Sequence, residues 1–165
     1  MEYRIASISD LESVWDKDIR RHPNDNNWVR WKNEYINYNK NHEATTFVAV
    51  ERGDVVAQIT VVLKPSVKAV LGKLFLCDNE TVNMNGFRCD KQFEGQGHIS
   101  RLVRLGEQYA ASLGYKYASI GANAKNVRNL QIYFHFGYTT FLKAVDEIDG
   151  HDMATVLYYR KELYE

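Results

Sequence analysis

The chain has 165 residues, 45% of them apolar and 25% charged, and its lysines plus arginines balance its aspartates plus glutamates at 21 each. That length predicts one domain, residues 1–165, with a real apolar core, and that composition excludes a disordered chain. Zero net charge leaves no electrostatic footprint for nucleic acid or an anionic membrane, so neither is expected as a partner. Cys77 and Cys89 are too few for a disulfide framework and sit in apolar, strand-like contexts, which predicts a reducing compartment. No apolar run nears membrane-spanning length, and Met1-Glu2-Tyr3-Arg4-Ile5 lacks the features of a signal peptide. A soluble, cytoplasmic location is therefore expected.

Tyr3 and Ile5 alternate in a short first strand. Ser9 and Glu12 have capping-box spacing, and Leu11, Val14, Trp15 and Ile19 recur at helical period. A polar break containing Pro23 ends that helix. Trp28, Trp31, Tyr35 and Tyr38 form an aromatic stripe on a second helix, which is most often a core face. Phe47–Val50 and Val55–Leu63 flank Glu51-Arg52-Gly53-Asp54, a hairpin with a glycine turn. Beyond Pro65, Val70, Leu71, Leu74, Phe75 and Leu76 fit a helical turn or a strand.

Between Thr81 and Cys89 the alternation slips. Val82 and Met84 keep one phase, Phe87 and Cys89 the other, and the slip falls at Gly86, as a β-bulge would place it. A bulge frees backbone groups to pair with an extended ligand. The turn Phe93–Ile99 then places bare amides where a helix begins, which suits an anion such as a pyrophosphate. Ile99, Leu102, Val103, Leu105, Tyr109, Ala110 and Leu113 give that helix its buried face, and Gly114 ends it. Tyr117–Ala122 is the next strand. Asn126 opens a last helix packed by Leu130, Tyr133, Phe134 and Phe136. Tyr138–Leu142 and Thr155–Tyr159 read as two final strands, with Asp149-Gly150 in the turn region.

The stretch from Phe87 to Tyr138 resembles the GNAT superfamily of acyl-CoA N-acyltransferases. The family's turn is written Q/R-x-x-G-x-G/A. Gln92–Gly97 matches it literally, whereas Glu94–Ile99 matches only at Gly97. The second register is preferred, because it points Leu102 and Val103 at the core, whereas the first would bury Ser100 and Arg101. It puts Glu94 where the family has Arg or Gln, and Ile99 where it has a small residue. Asn126, Tyr133 and Gly137-Tyr138 match the family's last helix.

The resemblance implies an α/β (α+β) fold. Its central mixed, mostly antiparallel sheet has about six to seven strands, with a bulged and splayed fourth strand and about four flanking helices. It implies acetyl-CoA as acyl donor, with no metal. The carrier would be held by Phe87, Arg88, Cys89, Glu94, Gly95, Gln96, Gly97, His98, Ile99, Asn126 and Tyr133. Tyr133 would be the general acid toward departing coenzyme A. Trp28, Trp31 and Tyr35 would lie beside the acceptor, a primary amine of a small molecule or peptide. Homodimers are frequent in the family.

A lysine-like amine with a pKa of about 10.4 is neutral in roughly one molecule in 2,500 at pH 7, a cost of about 4.6 kcal/mol. A general base, or a water chain to one, is therefore expected. The bulged strand offers Asn83 and Asn85 but no carboxylate. Glu80, at its start, is a candidate base, with Asp78, Glu34 and Asp25 behind it. His98 reads as a surface residue at a helix start, and Cys89 as a small apolar residue rather than a nucleophile. His22, His42, His135 and His151 share no metal-ligand spacing. Two other readings stay open. Glu94 and Ile99 fit a non-catalytic acyl-CoA-binding module, and Gly95-x-Gly97 fits a dinucleotide enzyme, though Ser100 stands where a third glycine belongs.

Overall fold

The computed structural model describes residues 1–164. The elements run β1 (Glu2–Ile5), α1 (Ile8–Arg21), α2 (Asn27–Lys40), β2 (Ala44–Glu51), β3 (Asp54–Val62), β4 (Thr81–Cys89), α3 (His98–Ser112), β5 (Tyr117–Asn123), α4 (Val127–His135), β6 (Thr140–Asp149) and β7 (Asp152–Glu162). The strands form one sheet in the order β1-β2-β3-β4-β5-β7-β6. Every neighbouring pair is antiparallel except β4 and β5. A doubly wound, parallel dinucleotide fold is thereby ruled out.

Both faces of the sheet are covered. Leu11, Val14, Trp15 of α1 and Tyr35, Ile36 of α2 bury Val48, Val50 and Val55 on one face. Leu102, Val103 and Ala110 of α3, with Leu130 and Tyr133 of α4, pack on Ile59, Val61 and Met84 on the other. None of the helices among the described residues is long and apolar enough to cross a membrane.

Several expectations shift. The capping box belongs to Ser7 and Asp10, not Ser9 and Glu12: the Ser7 hydroxyl accepts from the Asp10 N–H at 3.1 Å, and Asp10 accepts from the Ser7 N–H at 2.7 Å. The Ala6 N–H still bonds to Thr46 of β2, so the helix starts immediately after the strand pairing ends. Of the two readings for the segment after Pro65, the helical turn holds and the strand does not. The segment makes one 3-10 turn, Lys68–Val70, and buries Val67, Val70, Leu76 and Cys77 as a plug against Val62 and Tyr158. Leu113 is exposed, because α3 ends at Ser112 and Gly114 follows with φ +92°. The last two strands are about twice as long as their sequences suggest. β6 is an edge strand with little burial, so no alternation marks its ends.

The bulge is where the alternation slips. Asn85 faces Thr60 and Arg88 faces Gln58, so Gly86 and Phe87 together stand opposite Ile59. Gly86 has φ +64°, and a Cβ there would lie 3.2 Å from the Thr60 hydroxyl oxygen, so glycine is needed for both its conformation and its bareness. Beyond Asn83, β4 keeps to β3 while β5 keeps to β7. The two parallel strands part there and open the sheet.

Candidate active site

Two cavities occupy the opening left by the diverging strands. One, of about 500 Å³, runs between the end of β4, the Phe93–Ser100 turn and α4. The other, of about 710 Å³, lies toward α1, α2 and the β6–β7 hairpin. Both are lined by Phe87, Arg88, Asn129 and Tyr133, so they meet at the bulge and at Tyr133.

The smaller cavity has the features expected of an anion site. Gly97 is the residue before α3 and offers no side chain to cap it, which leaves the first-turn N–H groups for a ligand. Glu94, Gly95, Gly97, His98 and Ile99 line it, as expected, with Phe87, Cys89 and Asn126. Leu102 and Val103 are buried while Arg101 is exposed, which agrees with the second register of the turn motif.

Four of the expected carrier residues are also engaged elsewhere in the fold. Gln96 does not line the cavity. Its Nε2 donates to the Gln92 carbonyl at 3.1 Å, and its Oε1 lies 3.3 Å from His98 Nε2, so it braces the turn. His98 is buried, not a surface residue, with Nδ1 2.7 Å from the Tyr3 hydroxyl. The turn is thereby anchored to β1. Asn126 spends its Oδ1 on the Asn129 N–H at 3.1 Å, as the cap of α4. Arg88 turns toward α1, since strand alternation sends it to the face opposite Phe87 and Cys89. Its Nε donates to buried Asp18 at 3.1 Å, its guanidinium lies over the Trp15 and Trp28 rings, and it donates to the Phe87 carbonyl at 2.8 Å.

Tyr133 is buried against Phe87, with ring centroids 5.5 Å apart. Burial pushes its phenol up to about 12, so it stays protonated at neutral pH. Burial also raises the Cys89 thiol, with Glu94 and Asp90 adding to the effect, which fits an apolar rather than a nucleophilic role. The bulge itself is held from below: Gln58, 0% exposed on β3, donates its Nε2 to the Gly86 carbonyl at 3.2 Å.

In the larger cavity Trp31 and Tyr35 form part of the wall, and Trp15 joins them. Trp28 does not line it; its ring stacks on His22 at 4.2 Å. The Tyr35 hydroxyl donates to Asn85 Oδ1 at 3.3 Å, and Asn85 donates to Asn83 at 3.2 Å. None of the four candidate bases lines the cavity. Glu80 pairs with Lys116 at 3.1 Å, and seven residues of extended strand place it about 23 Å from Phe87. Asp78 caps the start of β4 through its Oδ1. Glu34 pairs with Arg30 and Lys68. Asp25 accepts from the Asn27 N–H at 3.0 Å and lies 3.1 Å from His151 Nε2. The carboxylates that do line the cavity are Glu147 and Asp149 of β6. Sequence reading missed them, along with Lys68 and Lys73, and missed Arg128 beside the smaller cavity. No spacing or periodicity marks any of these five.

Comparison with known proteins agrees with this geometry. Solved structures of similar fold cover nearly the whole chain. Ribosomal-protein-alanine N-acetyltransferase from Brucella melitensis superposes with a TM-score of 0.74 at 12% identity, covering 99% of this chain and 100% of that one. The yncA protein of Salmonella typhimurium, solved with its cofactor acetyl-CoA, gives 0.73 at 15% identity over 100% and 95% of the two chains. An aminoglycoside 6'-N-acetyltransferase complexed with coenzyme A gives 0.73 at 13% identity over 100% and 98%. Among curated proteins, none matches the sequence significantly. The model of the acetyltransferase (GNAT) family matches residues 8–138, and the chain belongs to that family.

Proposed function

We propose that this acyltransferase moves an acetyl group from acetyl-CoA to a primary amine of a small molecule or peptide, by direct attack of the amine on the thioester. The observation that carries the reading is the meeting of two cavities at the bulge and Tyr133, one with an uncapped helix start and one with an aromatic, carboxylate-bearing wall. The chain fits the carrier. The N–H groups from Gly95 to Ile99 would hold its diphosphate, and Arg128 adds a positive charge that offsets Glu94. Phe87 to Cys89 present the unpaired edge of β4 to its extended arm. Bound acetyl-CoA supplies a thioester-activated acetyl group.

Tyr133 lines both cavities, and its phenol stays protonated at neutral pH. With its pKa near 12 against about 8.5 for a thiol, complete proton transfer would cost about 5 kcal/mol, so the phenol acts chiefly as a hydrogen-bond donor to developing negative charge on sulfur. Asn83 and Asn85 cannot take a proton, so the amine's proton leaves through water in the wide acceptor cavity. Incubation of the full chain with acetyl-CoA and polyamines, aminoglycosides, amino acids and peptides should release free thiol with at least one acceptor class. No thiol release with any of them, despite binding of acetyl-CoA, would overturn the reading.

A further inference from the structure

One carboxylate lies where the pattern of α1 calls for an apolar residue. Leu11, Val14 and Trp15 form the buried stripe of that helix, and the next position of the stripe is Asp18, 5% exposed. A charge placed there is costly unless it is paired. Its partner is Arg88 of β4, whose Nε donates to Asp18 Oδ2 at 3.1 Å, with Arg21 behind at 3.8 Å. The Trp15 and Trp28 rings lie 5.4 and 5.0 Å from the guanidinium carbon of Arg88. His22 stacks on Trp28, and its Nδ1 lies 2.9 Å from the Asp18 carbonyl oxygen. Replacing a buried ion pair by apolar residues is often neutral or stabilising, so folding alone does not call for this one.

What the pair holds is the bulge. A second guanidinium nitrogen of Arg88 donates to the Phe87 carbonyl at 2.8 Å. The Asp90 N–H bonds to the Val56 carbonyl, so strand alternation turns the backbone groups of Arg88 toward β3 and those of Phe87 and Cys89 toward the gap between β4 and β5. Among the described residues no strand pairs with β4 on that side beyond Asn83. The Phe87 carbonyl thus faces the gap one residue after the positive φ of Gly86, and the Arg88 fork takes the place of a strand partner. Phe87 and Arg88 both line the two cavities where these meet. We propose that Asp18 is a positioning residue for the acyl carrier: through Arg88 it pins the Phe87 peptide, and so sets the line of gap-facing backbone along which the carrier's extended arm lies. This rests on the acetyltransferase reading above. Neither Asp18 nor Arg88 bonds to the Gly95–Ile99 turn among the described residues, so the two halves of the carrier report on the pair differently.

The test measures, by calorimetry on the full chain, the Kd of acetyl-CoA and that of its nucleotide half, 3'-phospho-ADP. In the double variant Asp18→Leu with Arg88→Met, the melting temperature should stay within about 3 °C of the wild type. The Kd of acetyl-CoA should rise about five- to tenfold, while that of 3'-phospho-ADP changes less than about twofold. Asp18→Asn keeps an acceptor for the Arg88 Nε–H and should weaken acetyl-CoA binding by no more than about threefold. Arg88→Lys keeps the charge but not the fork, and should lose as much as the double variant. Where the double variant does not fold, these two single variants decide, and equal affinity in both overturns the inference. A double variant that binds acetyl-CoA as the wild type does, or that loses both ligands in proportion, also overturns it and leaves the acetyltransferase reading standing. Thiol release from no amine, with the contrast in Kd intact, overturns that reading and supports the pinning. Failure of the wild type to bind acetyl-CoA overturns both.

Discussion

Tyr133 and Gln58 are both buried beside the bulge, Tyr133 against Phe87 and Gln58 beneath Gly86. Tyr133 is packed on Phe87 with its phenol held neutral by burial, which suits the hydrogen-bond donor role proposed for it. Tyr133→Phe should lower kcat by about 10- to 100-fold, while the Kd for acetyl-CoA changes less than about threefold. Steady-state kinetics beside calorimetry separates the two, and full kcat in the variant would remove Tyr133 from the chemistry. Gln58 has a buried Nε2 bonded to Gly86 and a buried Oε1 with no partner among the described residues. Gln58→Leu thus deletes an unsatisfied acceptor and releases the bulge carbonyl at once. The melting temperature should move by less than about 3 °C, while KM for acetyl-CoA rises about fivefold. A KM unchanged in the variant would show that Gly86 and Thr60 hold the bulge without help.

The element whose placement matters most is α3, because its uncapped start lines the smaller cavity, where the proposed carrier site lies. It reaches the sheet closely through Gly106, where a Cβ would sit 2.9 Å from both Ile59 Cδ1 and Val61 Cγ2 and 3.1 Å from Met84 Cε. Gly106→Ala gains up to about 1 kcal/mol of helix propensity and loses about 1–3 kcal/mol to overpacking. A net loss of about 1 kcal/mol is expected in urea unfolding, and a stabilised variant would show that the core yields there. The β6–β7 hairpin is the second decisive element. It brings Glu147 and Asp149 to the wall of the larger cavity, where β4 itself supplies amides and no acids.

Across the whole molecule, burial of tyrosines couples stability to alkaline pH. Tyr35 and Tyr133 are each pushed up to about 12 by burial, and Tyr138 and Tyr158 are raised as well, each by burial first and then by a carboxylate partner. The unfolded phenol titrates near 10. A raised folded value contributes stability that is complete below the unfolded value and is lost as pH rises through the folded one. The melting temperature should therefore fall between about pH 10 and pH 12. Circular dichroism melts across that range, with ultraviolet titration of the phenols, check it, and a flat profile would contradict it.

The amino-acid order alone determined those parts that depend on near neighbours. The slip at Gly86 and the glycine turn before α3 were legible because periodicity reports burial and glycine reports backbone angle, whereas the Asn126–Tyr133–Gly137 spacing was legible through the family resemblance. Tertiary structure alone decided which charges share a cavity. Glu80 stands just before β4, at the end far from the bulge, and His98 is buried and bonded to a tyrosine 95 residues away. Asp149 sits on an exposed edge strand whose residues carry no burial pattern. Where such a side chain comes to rest depends on strand divergence and on how a distant hairpin packs, and neither leaves a local trace.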